Sequence, residues 1–372
     1  MSGQEARHEP LEVAWFCPLC DDDYEYLGVH DPGLKSSFAH CRDVLLDAET
    51  NGFDNILCPS GYSLGIDSVA FAAGVAPLTS RIRLLVAVRC GEMFPPQLAR
   101  QMATLDRMLG GRLTINIISS DLPGAPLESK PRYQRTRECM RILRQLLNGN
   151  PASGRGEFYA LELAPPALRT VSGRCPRLYF GGLSEEARTV AAEEADVFLM
   201  WPEPLPAVRR LLDDMRGRAA RAGRVLEFGY RVHVIVRESE AAARAAARKL
   251  VSHLDDQRGR EIRERSLDHA SEGVRRQAEM RAIADEEGFV EDFLWTGIGR
   301  ARSGCGAAIV GDPDQVLAKL EAYRALGIGS FILSGYPHAR ECDLFARYVL
   351  PRLRPRAVLR GKPCGEERLI QR

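Results

Sequence analysis

The stretch FGYRVHVIV (228–236) sets an arginine and a histidine two residues apart inside an apolar run. In a strand, side chains alternate, so Arg231, His233 and Ile235 share one face and Tyr230, Val232 and Val234 the other. A lone strand histidine is usually structural. A guanidinium beside an imidazole on a face turned to a pocket offers more: fixed positive charge for an anion, and a group that gives or takes a proton near neutral pH. FILSGYPH (331–338) is a second such place. Gly335 and Pro337 would suffice to end a strand, yet Tyr336 and His338 add a phenol and an imidazole at its exit. In PRLYFGGLSEEA, Gly181 and Gly182 allow close backbone approach and Ser184 can cap the following helix, the arrangement that binds phosphate. A plain strand-to-helix turn would read the same way. Asn116, within LTINIIS, puts an amide into an apolar strand, where a ligand could be the partner it needs.

The elements that must position these residues follow a slow rhythm. Short apolar runs recur as VAWF (13–16), NILC (55–58), LLVAV (84–88), LTINII (113–118), LYFGG (178–182), VFLMW (197–201), FGYRVHVIV (228–236) and SFILS (330–334). Helix-period segments lie between most of them, at 67–78, 94–109, 132–148, 184–195, 204–222 and 240–255. Strands alternating with helices predict a parallel sheet, and eight such units predict one α/β domain over 1–372, a closed (β/α)8 TIM barrel. An open doubly wound sheet should carry a Gly-rich phosphate loop after its first strand, and VAWFCPLCDDD has none. Two insertions break the rhythm, near 149–176 and 256–313. The charged start of the second reads as solvated helix. Its Gly-rich part, 296–306 around Arg300 and Arg302, reads as a mobile lid that is open without ligand.

The totals exclude several classes. With 51 basic and 50 acidic side chains, nothing electrostatic argues for nucleic acid or an anionic membrane surface. No apolar run approaches the roughly 18 residues of a membrane span, and the polar start MSGQEARHEP lacks the apolar core of a secretory signal, so a cytoplasmic protein is expected. Ten cysteines run from Cys17 to Cys364, and Cys17 and Cys20 form a C-x-x-C. No second pair completes a zinc site and no thioredoxin-like helix follows, so no metal is expected and the thiols read as reduced.

The segments ATLDRMLGGR (103–112), RYQRT (132–136), LYFGG (178–182), FGYRVHVIVRES (228–239), VSHLDD (251–256), GAAIVGD (306–312) and SFILSGYPH (330–338) resemble the bacterial luciferase-like flavin monooxygenases, nearest to the two-component alkanesulfonate type. The resemblance runs from about 12 to 355 and implies a TIM barrel with an insertion. It implies further that reduced FMN, supplied by a separate NAD(P)H:FMN reductase, reacts with O2 to form a flavin peroxide that cleaves a C–S bond to aldehyde and sulfite. Carried over, the catalytic set falls on Arg231, His233, Arg302 and Tyr336, and the FMN-holding set on Asn116, Tyr133, Gly182, Leu183 and Ser184. Cys20, Trp201 and His338 would meet the small-molecule substrate. A homo-oligomer, dimer or tetramer, is expected. Two wall positions depart from the sulfonate enzymes: Cys20 stands where they carry a histidine, and Leu64 and Gly65 stand where they carry a cysteine. Hydroxylation of a carbon centre in an amino-acid-like or carrier-bound substrate is the alternative on the same scaffold, and a deazaflavin-dependent dehydrogenase is a third reading.

Overall fold

The computed structural model describes residues 11–264 and 271–354. The N-terminal stretch MSGQEARHEP, part of the charged run (265–270) and Cys364 lie outside them. Eight parallel strands form the centre: β1 (Glu12–Phe16), β2 (Asn55–Cys58), β3 (Arg83–Arg89), β4 (Leu113–Ile118), β5 (Leu178–Phe180), β6 (Val197–Met200), β7 (Glu227–Val236) and β8 (Ser330–Ser334). They are the eight apolar runs of the sequence. Most are buried on both faces, because helices cover one side and the barrel interior the other, so they read as continuous apolar runs rather than alternating ones.

Each strand pairs with the next, and β1 pairs with β8 (Glu12↔Ser330). The ring closes at β7, which pairs with β6 (Val197↔Glu227) on one edge and β8 (Ser330↔Gly229) on the other. The helices outside are α1 (Phe38–Thr50), α2 (Ser68–Val75), α3 (Pro95–Met108), α4 (Ser129–Leu147), α5 (Glu185–Glu194), α6 (Leu205–Arg221), α7 (Glu240–Leu250), α8 (Asp256–Glu264), α9 (Glu272–Ala282), α10 (Pro313–Ala325) and α11 (His338–Tyr348). Between barrel and helices lies the main apolar core, to which Tyr230, Val232 and Val234 belong. Inside the barrel, Phe16, Leu57, Leu85, Tyr179 and Ile332 pack together. Below them the Glu12 carboxylate accepts from Tyr179 Oη and Ser330 Oγ, both at 2.8 Å, so the N-terminal end is plugged by a satisfied polar cluster.

Strand β7 is ten residues long and β6 only four. Past Tyr230 its edge is therefore free, and the segment Ala308–Gly311 takes it, from Ala308↔His233 to Gly311↔Val236. Two short antiparallel strands, Phe289–Glu291 and Leu294–Trp295, continue from that segment. This pairing anchors the 256–313 insertion over the C-terminal end of the barrel. The other insertion is a hairpin, Ala152–Arg155 with Ala160–Leu163. Its turn is held by the α4 carboxylate of Glu138, which accepts from the backbone N–H of Glu157, Phe158 and Tyr159 at 2.9 to 3.1 Å. Among the described residues, no helix is long and apolar enough to cross a membrane.

Candidate active site

A cavity of about 570 Å³ lies at the C-terminal ends of the strands. Its walls include Cys20 and Asp22 from the loop after β1, Asn116 of β4, Trp201 after β6, Arg231 of β7, Arg302 of the insertion and Tyr336 after β8. Six residues expected from the sequence thus converge on one space.

Arg231 is buried, its Cζ 3.9 Å above the centre of the Phe16 ring. Its Nη1 donates to Ser334 Oγ at 3.2 Å, and Ser334 Oγ lies 3.0 Å from Nδ1 of the fully buried His233. The register Ser334↔His233 between β8 and β7 creates this chain. Arg231 Nη2 and His233 Nε2 are buried and have no hydrogen-bond partner among the described residues. Burial pushes the His233 pKa well below its ordinary value, and the charges of Arg231 and Arg302 push the same way. The imidazole is therefore neutral at pH 7.

Arg302 Nη1 donates to Tyr336 Oη at 2.8 Å and to Asp22 Oδ2 at 2.5 Å, while Asp22 Oδ1 is buried without a partner among the described residues. Burial works against the Arg302 charge, but Tyr336 and Asp22 outweigh it and its pKa is raised. The Tyr336 pKa is also raised, chiefly by burial, so the phenol keeps its proton. Its ring packs 5.0 Å from His233 and edge-on to Tyr24. An unpaired buried polar group costs about 1–3 kcal/mol, so two of them on the cavity wall, Arg231 Nη2 and Asp22 Oδ1, mark a place made for a polar ligand. His233 is not part of that wall and reaches it through Ser334 and Arg231.

The Gly-rich stretch read as a lid packs on the mouth of the barrel. Residues 297–300 form a 3-10 turn, Ile298 and Ala301 are buried, and Arg302 points into the cavity. The ion pair with Asp22 supplies the reason. The loop also lies flat on Trp201: a methyl group on Gly304 would come within 3.1 Å of the indole. His338, expected at the substrate, is instead fully buried behind the wall. Its ring stacks on Phe16 with centres 5.5 Å apart and its backbone N–H donates to Asp23 Oδ1 at 2.9 Å.

The other predicted residues gather elsewhere. Tyr133, Gly182, Leu183 and Ser184 meet at the N-terminus of α5, off the cavity wall. Ser184 Oγ caps the helix by accepting from the Ala187 N–H at 3.2 Å. Gly182 has φ +149°, and a methyl group there would lie 2.6 Å from Ala187 Cβ and 3.4 Å from Tyr133 Oη. Only glycine fits so close to Ala187 at that φ. The C-x-x-C does not act as a pair: Cys17 is buried with its thiol on the Cys41 carbonyl, while Cys20 faces the cavity, its pKa pushed up to about 12 by burial. Among the described residues no group of three or more His, Cys, Asp and Glu could hold a metal ion.

Sequence reasoning missed Phe16, Asp22, Asp23 and Ser334. The three acids directly after the first strand were a visible signal, since loops after barrel strands face the site. Ser334 carried none, because a serine at a strand end is commonplace.

A barrel with its polar residues at the C-terminal mouth and a long insertion over it defines a class. The family model of the luciferase-like monooxygenases matches residues 11–330, and the chain belongs to that family. It is thus a monooxygenase. It is 62% identical over 349 residues (92% of this chain, 96% of the relative) to a sulfoquinovose monooxygenase of Novosphingobium aromaticivorans. It is 51% identical over 351 residues (93% and 90%) to a sulfoquinovose monooxygenase of Agrobacterium fabrum. Among solved structures, DmoA from Hyphomicrobium sulfonivorans shares the fold, with a TM-score of 0.75 at 19% identity over 94% of this chain and 89% of that one.

Proposed function

We propose that the chain is the oxygenase of a two-component system that takes reduced FMN from a separate NAD(P)H:FMN reductase. With O2 it cleaves the C–S bond of a sulfonated hexose, sulfoquinovose. The carbon bearing sulfur becomes an aldehyde, the sulfonate leaves as sulfite, and the second oxygen atom leaves as water with two electrons from the flavin. The observation that carries this reading is the unpaired Nη2 of Arg231 on the cavity wall, with Arg231 linked through Ser334 to the buried His233. A sulfonate brings tripodal oxygens and a charge that a guanidinium matches. The relatives named above supply the substrate.

The residues fit the flavin. The bare backbone at Gly182, the Tyr133 hydroxyl near it and the N-terminus of α5 suit its phosphate, and Asn116 and Leu183 would hold the rest. When bound, reduced FMN supplies the electrons that activate O2. Arg231 holds the sulfonate, and the neutral His233, joined to it through Ser334, holds the guanidinium in place. Tyr336 accepts from Arg302 and keeps its own O–H to donate. Arg302, latched to Asp22, closes the cavity and excludes water; release of that latch opens the lid to ligands. Cys20 and Trp201 shape the substrate wall. The chain works as a homo-oligomer.

A panel of sulfonates incubated with reduced FMN and O2, read by sulfite and by product mass, tests this. Sulfoquinovose should release sulfite faster than simple alkanesulfonates. A product two hydrogens lighter, formed without O2, would replace the reading with a dehydrogenase.

A further inference from the structure

The proton on His233 can be placed from its neighbours. We propose that Ser334 fixes His233 in the Nε2–H tautomer, so that Nε2 is a hydrogen-bond donor rather than a base.

A hydroxyl has one hydrogen and two lone pairs, and a guanidinium only donates. The Arg231 Nη1 bond at 3.2 Å therefore uses a lone pair of Ser334 Oγ, and the serine hydrogen must go elsewhere. Ser334 is fully buried, and among the described residues the one acceptor in hydrogen-bond contact with its Oγ is His233 Nδ1, at 3.0 Å. Donation from Oγ to Nδ1 satisfies every group. The reverse, Nδ1–H donating to Oγ, would leave the serine hydrogen without an acceptor in a dry interior. A neutral imidazole that accepts at Nδ1 carries its hydrogen on Nε2. The Cys305 carbonyl also favours a proton on this ring, although it does not reach hydrogen-bond geometry with Nε2.

The chain Arg231→Ser334→His233 is polarised from its charged end, which strengthens each bond and sharpens Nε2–H as a donor. Arg231 Nη2 and His233 Nε2 would then both be donors. Any acceptor for Nε2–H rests on the proposed function, but the tautomer does not. Ser334 is a positioning residue, acting through His233.

Ligand-free protein labelled with 15N-histidine tests the assignment by two-bond 1H–15N correlation, with His233 identified by its loss in His233→Gln. The wild type should show a neutral Nε2–H ring. In Ser334→Ala the pattern should move toward Nδ1–H or a mixture, and Ser334→Thr, which keeps the hydroxyl, should restore it. An Nδ1–H ring in the wild type, or an unchanged tautomer in Ser334→Ala, overturns the proposal. Should the alanine variant fail to fold, the wild-type spectrum alone decides. With active enzyme, Ser334→Ala should slow single turnover roughly 10- to 100-fold with little change in KM. A merely structural serine would lower Tm and leave the rate alone. A wild type inactive on every sulfonate would count against the proposed function, while the spectrum would still judge the tautomer.

Discussion

Tyr336 tests how far the buried hydroxyls serve chemistry rather than packing. Tyr336→Phe keeps the ring contacts with His233, Tyr24 and His338, and Arg302 keeps its ion pair with Asp22. The variant should melt close to wild type, bind reduced flavin, and turn over about 10-fold or more slower. Unchanged kinetics with a lowered melting point would make the hydroxyl a brace for the turn. His233 offers a second test. Burial, Arg231 and Arg302 depress its pKa in the folded state, so below about pH 6.5 the unfolded chain binds the proton that the folded chain refuses. Its contribution to stability is complete above that pH and falls with acid. Against His233→Gln, wild type should lose about 1.4 kcal/mol per pH unit below pH 6 in urea unfolding; parallel pH profiles would refute it. Alternation along FGYRVHVIV made the shared face of Arg231 and His233 legible in sequence. Ser334 between them was not, because it depends on the register of two strands 100 residues apart in the chain.

Strands and their rhythm were the most readable part of the chain: all eight apolar runs are barrel strands. The 256–313 insertion was harder. Ala308–Gly311 sits in a Gly-rich stretch that reads as loop, and it becomes a strand because β7 outruns β6 and leaves an edge to fill. Edge vacancies are properties of the assembled sheet. The lid, read from its glycines, has contacts with Asp22, Trp201 and α8 that its own sequence does not show. A methyl group on Gly259 would lie 2.3 Å from the Arg300 carbonyl oxygen, so helix and lid touch backbone to side. Gly259→Ala should push them apart. Amide exchange across 297–306 should rise and turnover should fall, with little change in global melting because the barrel core is untouched. Wild-type exchange in that segment would show that α8 does not hold the lid.

Over the whole molecule, one end of the barrel is sealed by the Glu12 cluster and the other holds the cavity under its insertion. Family and chemistry were legible because fixed charges and a strand-exit turn carry them. The substrate was not, since it is set by walls such as Cys20 and Leu64 whose neighbours come from distant loops. The central claim is that this one cavity brings an organosulfonate and a reduced flavin to O2. Anaerobic protein, premixed with one equivalent of reduced FMN and excess sulfoquinovose, should be mixed with oxygenated buffer and its sulfite counted. The account predicts close to one sulfite per active site, none without O2, and none from Arg231→Ala. No sulfite above a protein-free control, or equal release from Arg231→Ala, would contradict it.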